Sequence, residues 1–126
     1  MHVAWATKGL ELSTGKLPHE VVGEVLGADA GPFAVLSGPT FAKELARGLP
    51  TALTIGSSDD TFASDIAARI SDPVFRAYTS DDIVGVEVGG AIKNIMAIGA
   101  GITDGLGFGA NARVALITRA LSEMPR

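Results

Sequence analysis

The chain's 126 residues suit a single domain of ordinary size, and with 47% of them hydrophobic and 19% charged there is enough apolar matter to bury a core. Ten Lys and Arg against fourteen Asp and Glu leave a formal net charge of −4, without the basic stripe that nucleic acid requires, so nucleic acid is excluded as a partner. Cysteine is absent and His2 and His19 are the only histidines, which excludes disulfides, cysteine nucleophiles and the usual metal centres.

Met1 to Ala6 has no basic region leading into a long apolar run, so it does not read as a signal peptide and a cytoplasmic protein is expected. Val3 to Ala6 is a short apolar run ending at Thr7-Lys8-Gly9. His19 to Leu26 follows Pro18 and stops before Gly27, the pattern of a short helix. Phe33 to Leu36 predicts a buried strand closed by Ser37-Gly38-Pro39. Thr40 to Arg47 predicts a helix closed by Gly48 and Pro50, and Thr51 to Ile55 the next strand. Ser57-Ser58-Asp59-Asp60 can cap the helix that follows, in which Phe62, Ile66 and Ile70 recur at every fourth residue as one apolar stripe. Val74 to Thr79 is the last strand expected. Strands and helices alternating in this way predict an α/β unit with a largely parallel sheet.

After Ser80-Asp81-Asp82 the pattern is purely helical. A long helix is expected from about Ile83 to Ile102, then a break over Gly105 to Ala110, then a second helix capped by Asn111 and ended by Pro125. Ile83 to Ile102 has the length of a membrane span. Glu87 and Lys93 lie inside it, however, and an ion at a bilayer centre costs about 2.5–3.5 kcal/mol. A buried helix of a soluble protein is the expectation, with no membrane partner.

Lys93 is the most unusual residue. Its i±3 and i±4 neighbours are Gly89, Gly90, Met96 and Ala97, none of which can neutralise an ammonium. Two readings suit it. A desolvated lysine loses basicity and can act as a general base near neutral pH; equally, its stem can run along apolar surface and leave the head in water. Gly85, Gly89 and Gly90 favour the first, since each costs about 1 kcal/mol in a helix interior unless a close approach repays it. Asn94 beside it offers an amide that can hold a ligand oxygen or simply bond to backbone. Lys8 follows a strand-like run, where open α/β sheets bind ligands, and an ammonium there suits phosphate as well as it suits a solvated loop. Ser37-Gly38-Pro39-Thr40 leads from a strand to a helix N-terminus, either an anion site or a plain cap. Gly105-Leu106-Gly107-Phe108-Gly109-Ala110 matches G-x-G-x-x-[G/A] but follows a helix, so it is read as an interhelix loop and not a nucleotide site. Asp104, eleven residues beyond Lys93, would lie roughly 16 Å away along a helix, too far to pair with it.

Four segments taken together carry a resemblance: Trp5-Ala6-Thr7-Lys8-Gly9-Leu10-Glu11, Leu36-Ser37-Gly38-Pro39-Thr40-Phe41-Ala42, Val86-Glu87-Val88-Gly89-Gly90-Ala91-Ile92-Lys93-Asn94, and Gly107-Phe108-Gly109-Ala110-Asn111-Ala112-Arg113 running on to Arg119. In order and wording they resemble the bacterial NAD(P)-dependent glycerol-3-phosphate dehydrogenases over almost the whole chain. The resemblance implies an oxidoreductase that interconverts dihydroxyacetone phosphate and sn-glycerol 3-phosphate with NAD or NADP, feeding phospholipid synthesis. It implies a catalytic proton acceptor at Lys93, substrate contacts at Lys8, Gly38, Thr40 and Lys93, and cofactor contacts at Lys8 and Ala42, with Asn94 in support. It also implies the fold: residues 1–80 as the C-terminal part of a Rossmann-like dinucleotide-binding domain lacking its first βαβ, and residues 81–126 as the first long helices of an all-α substrate domain.

The chain departs from the family in lacking the Gly-rich turn that holds the cofactor pyrophosphate and the distal Asp and Arg-Asn residues that hold substrate. It reads as the middle of an enzyme. A relative acting on a hydroxy acid is a second reading, disfavoured because Lys93 and Asn94 are adjacent instead of four apart. A third is a non-catalytic fragment that pairs with another chain. Self-association is expected through a strand edge beside Phe33 to Leu36 or through the glycine-lined helix.

Overall fold

The computed structural model describes residues 2–27 and 30–124. Strand β1 (Val3–Trp5) is followed by helix α1 (Pro18–Leu26) and strand β2 (Phe33–Ser37). Pro18 opens α1, where a missing N–H costs nothing, and the Glu20 carboxylate turns back to accept the Leu17 N–H at 2.8 Å. Helix α2 is Ala42–Leu45, β3 is Thr51–Gly56, α3 is Asp60–Ile70 and β4 is Phe75–Ser80. Asp59 caps α3 by accepting the Phe62 N–H at 2.8 Å. Helix α4 (Ile83–Gly105) and helix α5 (Gly109–Glu123) complete the described chain.

The four strands stand in sequence order, β1-β2-β3-β4. β1 and β2 pair in parallel with Val3 opposite Phe33, and β3 and β4 in parallel with Thr51 opposite Phe75. β2 and β3 run antiparallel, with Val35 opposite Gly56, so the sheet is parallel at two of its three pairings, largely as expected, and the middle pairing is the exception. The connection between β2 and β3 explains it. Gly38 to Pro50 has about the dozen residues at which a parallel crossover becomes possible, but only the four residues of α2 are helical, and they advance about 6 Å against roughly 20 Å for a six-residue strand. The predicted helix over Thr40 to Arg47 is cut to α2 because the Thr40 N–H is taken by Gly38 O at 3.0 Å, which holds Thr40 outside the helix. β2 lies inside the sheet between β1 and β3, so the apolar run Phe33 to Leu36 borders no open edge; the outer strands are β1 and β4.

The core is the α3 side of this sheet. Ala34, Leu53, Ile55 and Ala63 are buried together, with Phe62, Ile66 and Ile70 of the α3 stripe packed against them. Ser57, fully buried just past β3, donates to Phe33 O at 2.7 Å and accepts the Asp59 N–H at 3.1 Å, tying β2 to the start of α3.

The chain divides into two compact units, Met1–Gly90 and Ala91–Arg126. The first holds the sheet, α1 to α3 and the opening turns of α4. In the second, the rest of α4 and α5 are joined by Leu106 to Phe108, where Gly107 and Gly109 take φ of +72° and +81°. Those two glycines make the turn, and α5 begins at Gly109 with Phe108 at its cap position, not at the expected Asn111, which sits inside the first turn. Pro125, expected to end this helix, lies outside the described residues. The break expected over Gly105 to Ala110 is thus an interhelix loop of only Leu106 to Phe108, and Asp104 pairs across it with Arg113, whose Nε and Nη2 donate at 2.8 and 2.6 Å. By length and composition α4 could cross a membrane. Burial within it is confined to Glu87 and Gly90, so the expectation of a buried helix holds for its first turns alone.

Candidate functional site

Parallel pairing places the carboxyl ends of β1 and β2 side by side, the end of an α/β sheet where ligands are bound. Ala6 to Gly9 leave one strand and Gly38 to Thr40 the other. Lys8 is half-buried, and Gly9 follows at φ +114°, a conformation that suits glycine. Gly38 lies flat against β3: a methyl there would stand 2.7 Å from Ala52 O and 2.8 Å from Leu53 Cα. Any side chain would therefore push the two strands apart. A cavity of about 150 Å³ opens beside it, lined among others by Ala6, Ser37, Thr40 and Phe75.

Helix α4 closes on the same place. Asp82 starts it by accepting the Gly85 N–H at 2.8 Å. Two turns on, a methyl on Gly90 would lie 2.6 Å from Ser37 Oγ and 3.6 Å from Lys8 Cγ, so glycine permits the close approach that its position in a helix suggested. Lys8, Ser37 and Gly90 therefore meet, with Gly38 and Thr40 next along the chain. A second cavity, about 370 Å³, lies on the α1 side of Lys8, walled by Trp5, Thr7, Gly9, Glu11, Val21 and Val22 among others. Trp5 Nε1 is buried there with no acceptor among the described residues.

The remaining expected site residues belong to α4 and α2. Lys93 is half-buried on α4, three residues past Gly90 and in the second unit, and Asn94 next to it is exposed. Ala42 is the first residue of α2 and is exposed. With only four residues, α2 is too short to give Ser37 to Thr40 the helix N-terminal anion site that the pattern left open beside a plain cap. None of the strand-to-helix junctions among the described residues carries a G-x-G-x-x-G turn.

Sequence reasoning missed one pair. The Glu87 side chain is 1% exposed, and it is held by a single residue: His19 donates its backbone N–H to Oε1 at 3.0 Å and its Nδ1–H to Oε2 at 2.6 Å. His19 is the second residue of α1, one of the positions whose N–H has no acceptor within the helix. A carboxylate alone on an apolar helix was the available signal. Its partner stands 68 positions away in the chain, and nothing local names it.

Comparison with known proteins identifies relatives of this chain and its fold. A family model described as NAD-dependent glycerol-3-phosphate dehydrogenase N-terminus matches residues 1–63, and one described as the C-terminus of the same enzyme matches residues 82–126. The chain is 59% identical over 125 residues to the glycerol-3-phosphate dehydrogenase [NAD(P)+] of Sodalis glossinidius and 60% identical to that of Haemophilus ducreyi, in each case over 98% of this chain and 37% of the relative's length. The solved glycerol-3-phosphate dehydrogenase of Coxiella burnetii superimposes with a TM-score of 0.91 at 49% identity, over all of this chain and 38% of that one. The Dunaliella salina enzyme does so at 0.87 and 31%, over 99% of this chain and 21% of its own. The chain thus spans well under half the length of the proteins it matches, and it belongs to the NAD-dependent glycerol-3-phosphate dehydrogenase family.

Proposed function

We propose that this chain supplies the substrate-facing middle of an NAD(P)-dependent dehydrogenase that interconverts dihydroxyacetone phosphate and sn-glycerol 3-phosphate in the cytoplasm, a step toward phospholipid backbones. Residues 1–80 serve as part of the dinucleotide-binding domain and residues 81–126 as the start of the substrate domain. The observation that carries the reading is the meeting of Lys8, Ser37 and Gly90 at the carboxyl ends of two parallel strands, within a chain matched to this family at both ends.

In this reading Lys8 attracts the substrate's phosphate and steadies the oxygen at C2, while Gly38 and Thr40 contact substrate through backbone and hydroxyl. Lys93 takes the hydroxyl proton as the alcohol is oxidised and returns it in the reverse direction, with Asn94 in support. The residues present fit only the nicotinamide end of a dinucleotide. Lys8 and the unpaired Trp5 N–H border the larger cavity and suit acceptor atoms, and Ala42 is accessible at the start of α2. When bound, the nicotinamide accepts or delivers the hydride at C2. A specific observation also favours the association reading: Ile95, Ile98 and Ile102 on α4 and Val114, Ile117 and Leu121 on α5 are exposed.

The test grafts residues 1–126 into the Sodalis glossinidius enzyme in place of its own matching segment. Turnover of dihydroxyacetone phosphate with NADH or NADPH is expected from the graft. Lys93→Met should remove it, losing at least about 100-fold in kcat with the melting temperature little changed. A Lys93→Met graft that keeps most of its kcat overturns the assignment.

A further inference from the structure

We infer that Glu87 is a positioning residue for Lys93: clasped by His19, its carboxylate sets the axial and rotational position of α4. The inference rests on the proposed dehydrogenase function. Glu87 itself, with a side chain 1% exposed, is too deeply buried to meet substrate. A buried carboxylate and its hydrogen-bond partner are a poor device for stability, since an apolar pair of similar volume commonly does as well or better. They are a good device for direction. Both carboxylate oxygens are used, one on the His19 N–H and one on the imidazole, so the helix that carries them can neither slide nor roll without breaking a charge-assisted bond. The start of α1 favours an anion as well, because its aligned peptide dipoles and unsatisfied N–H groups point there.

The residues beyond Glu87 on α4 give this setting its use. The helix is unbroken from Ile83 to Gly105. Gly90, three residues on, needs a close fit against Ser37 Oγ and the Lys8 stem, and a helix rolled by one residue, about 100°, toward Ala91 would drive its methyl there. Lys93 lies six residues past Glu87, about 9 Å along the axis. A small roll at Glu87 is therefore carried to Gly90 and along the helix that bears Lys93, and a displacement near 1 Å at a reacting group can cost about 100-fold in rate.

The graft into the Sodalis glossinidius enzyme serves again as the test. Glu87→Leu keeps the bulk and removes the direction. It should lower kcat about 10- to 100-fold while KM for dihydroxyacetone phosphate changes less than about 3-fold. Hydrogen exchange at the His19 amide should quicken in the same variant, since no helix carbonyl protects that N–H. Glu87→Gln retains an oxygen for the His19 N–H and should recover most of the lost kcat. Should Glu87→Leu fail to fold, His19→Ala removes only the imidazole arm and should show a smaller loss, again in kcat. Full kcat per folded molecule in Glu87→Leu, or in His19→Ala where the first does not fold, overturns the positioning role. A loss expressed only as a lower melting temperature or a raised KM does the same. The two readings fail differently. An inactive wild-type graft, or an active Lys93→Met graft, overturns the proposed function and this inference with it, whereas a dead Lys93→Met beside a fully active Glu87→Leu overturns this inference alone.

Discussion

Gly38 and Gly101 show how differently one residue type is used in this chain. At Gly38 a methyl would fall within 2.9 Å of three atoms at Ala52 and Leu53, two of them backbone, so Gly38→Ala must shift a strand and should destabilise by roughly 1–3 kcal/mol. At Gly101 nothing lies within 4 Å of the added methyl, and Gly101→Ala should stabilise α4 by up to about 1 kcal/mol. Denaturant unfolding of the two variants in the grafted enzyme checks both signs. Lys8 and Thr40 divide along similar lines. Lys8→Ala removes a charge next to Gly90 and should raise KM for dihydroxyacetone phosphate more than Thr40→Ala, which removes a neutral donor; an unchanged KM in both returns them to structural roles. Lys8, Gly38, Thr40 and Lys93 could be proposed from short motifs, because each belongs to a run of contiguous residues. The Glu87–His19 pair was not legible, because its two halves are distant in the chain and only folding joins them.

Elements here are held by a few polar anchors whose loss has a predictable cost. Ser57 is fully buried and serves two backbone groups at once, Phe33 O and the Asp59 N–H. Ser57→Ala leaves both without a partner and should cost about 1–3 kcal/mol, while Asp59→Ala removes only the α3 cap and should cost about 1 kcal/mol. Thermal melts of the two variants should rank them in that order. Equal melting temperatures would mean that water reaches the vacated Ser57 site. Arg113→Ala, by contrast, breaks an exposed pair with Asp104 and should change stability by less than about 1 kcal/mol. The alternation of strands and helices was readable because periodicity is a local property. The antiparallel β2–β3 pairing was not, because it depends on how short α2 becomes once the Thr40 N–H turns back to Gly38.

For the molecule as a whole, the exposed surface decides behaviour in solution. Ile95, Ile98 and Ile102 on α4, Leu106 just beyond it, and Val114, Ile117 and Leu121 on α5 are between 43% and 65% exposed, more large apolar side chains in water than an isolated chain ordinarily presents. β1, three residues long, is an outer strand of the sheet. The 126-residue chain by itself should therefore self-associate, with light scattering giving a mass above the monomer, and Ile98→Lys with Leu121→Lys should return it toward the monomer. The same chain should bind neither NADH nor NADPH at micromolar levels by calorimetry, since the pyrophosphate affinity of such folds comes from a Gly-rich turn feeding a helix. Micromolar binding by a stable monomer would refute both statements.

Sequence alone determined the order and kind of the elements, the α3 stripe, the break between the last two helices and the family. Each of these is written in neighbouring residues, as a period, a breaker or a contiguous motif. Tertiary structure decided the direction of β3, the interior place of β2, the start of α5 at Gly109 and the seating of α4 on α1. These depend on which distant groups satisfy one another. A buried carboxylate needs donors and a glycine needs a neighbour close enough to justify it, and neither requirement states where in the chain the partner will be found.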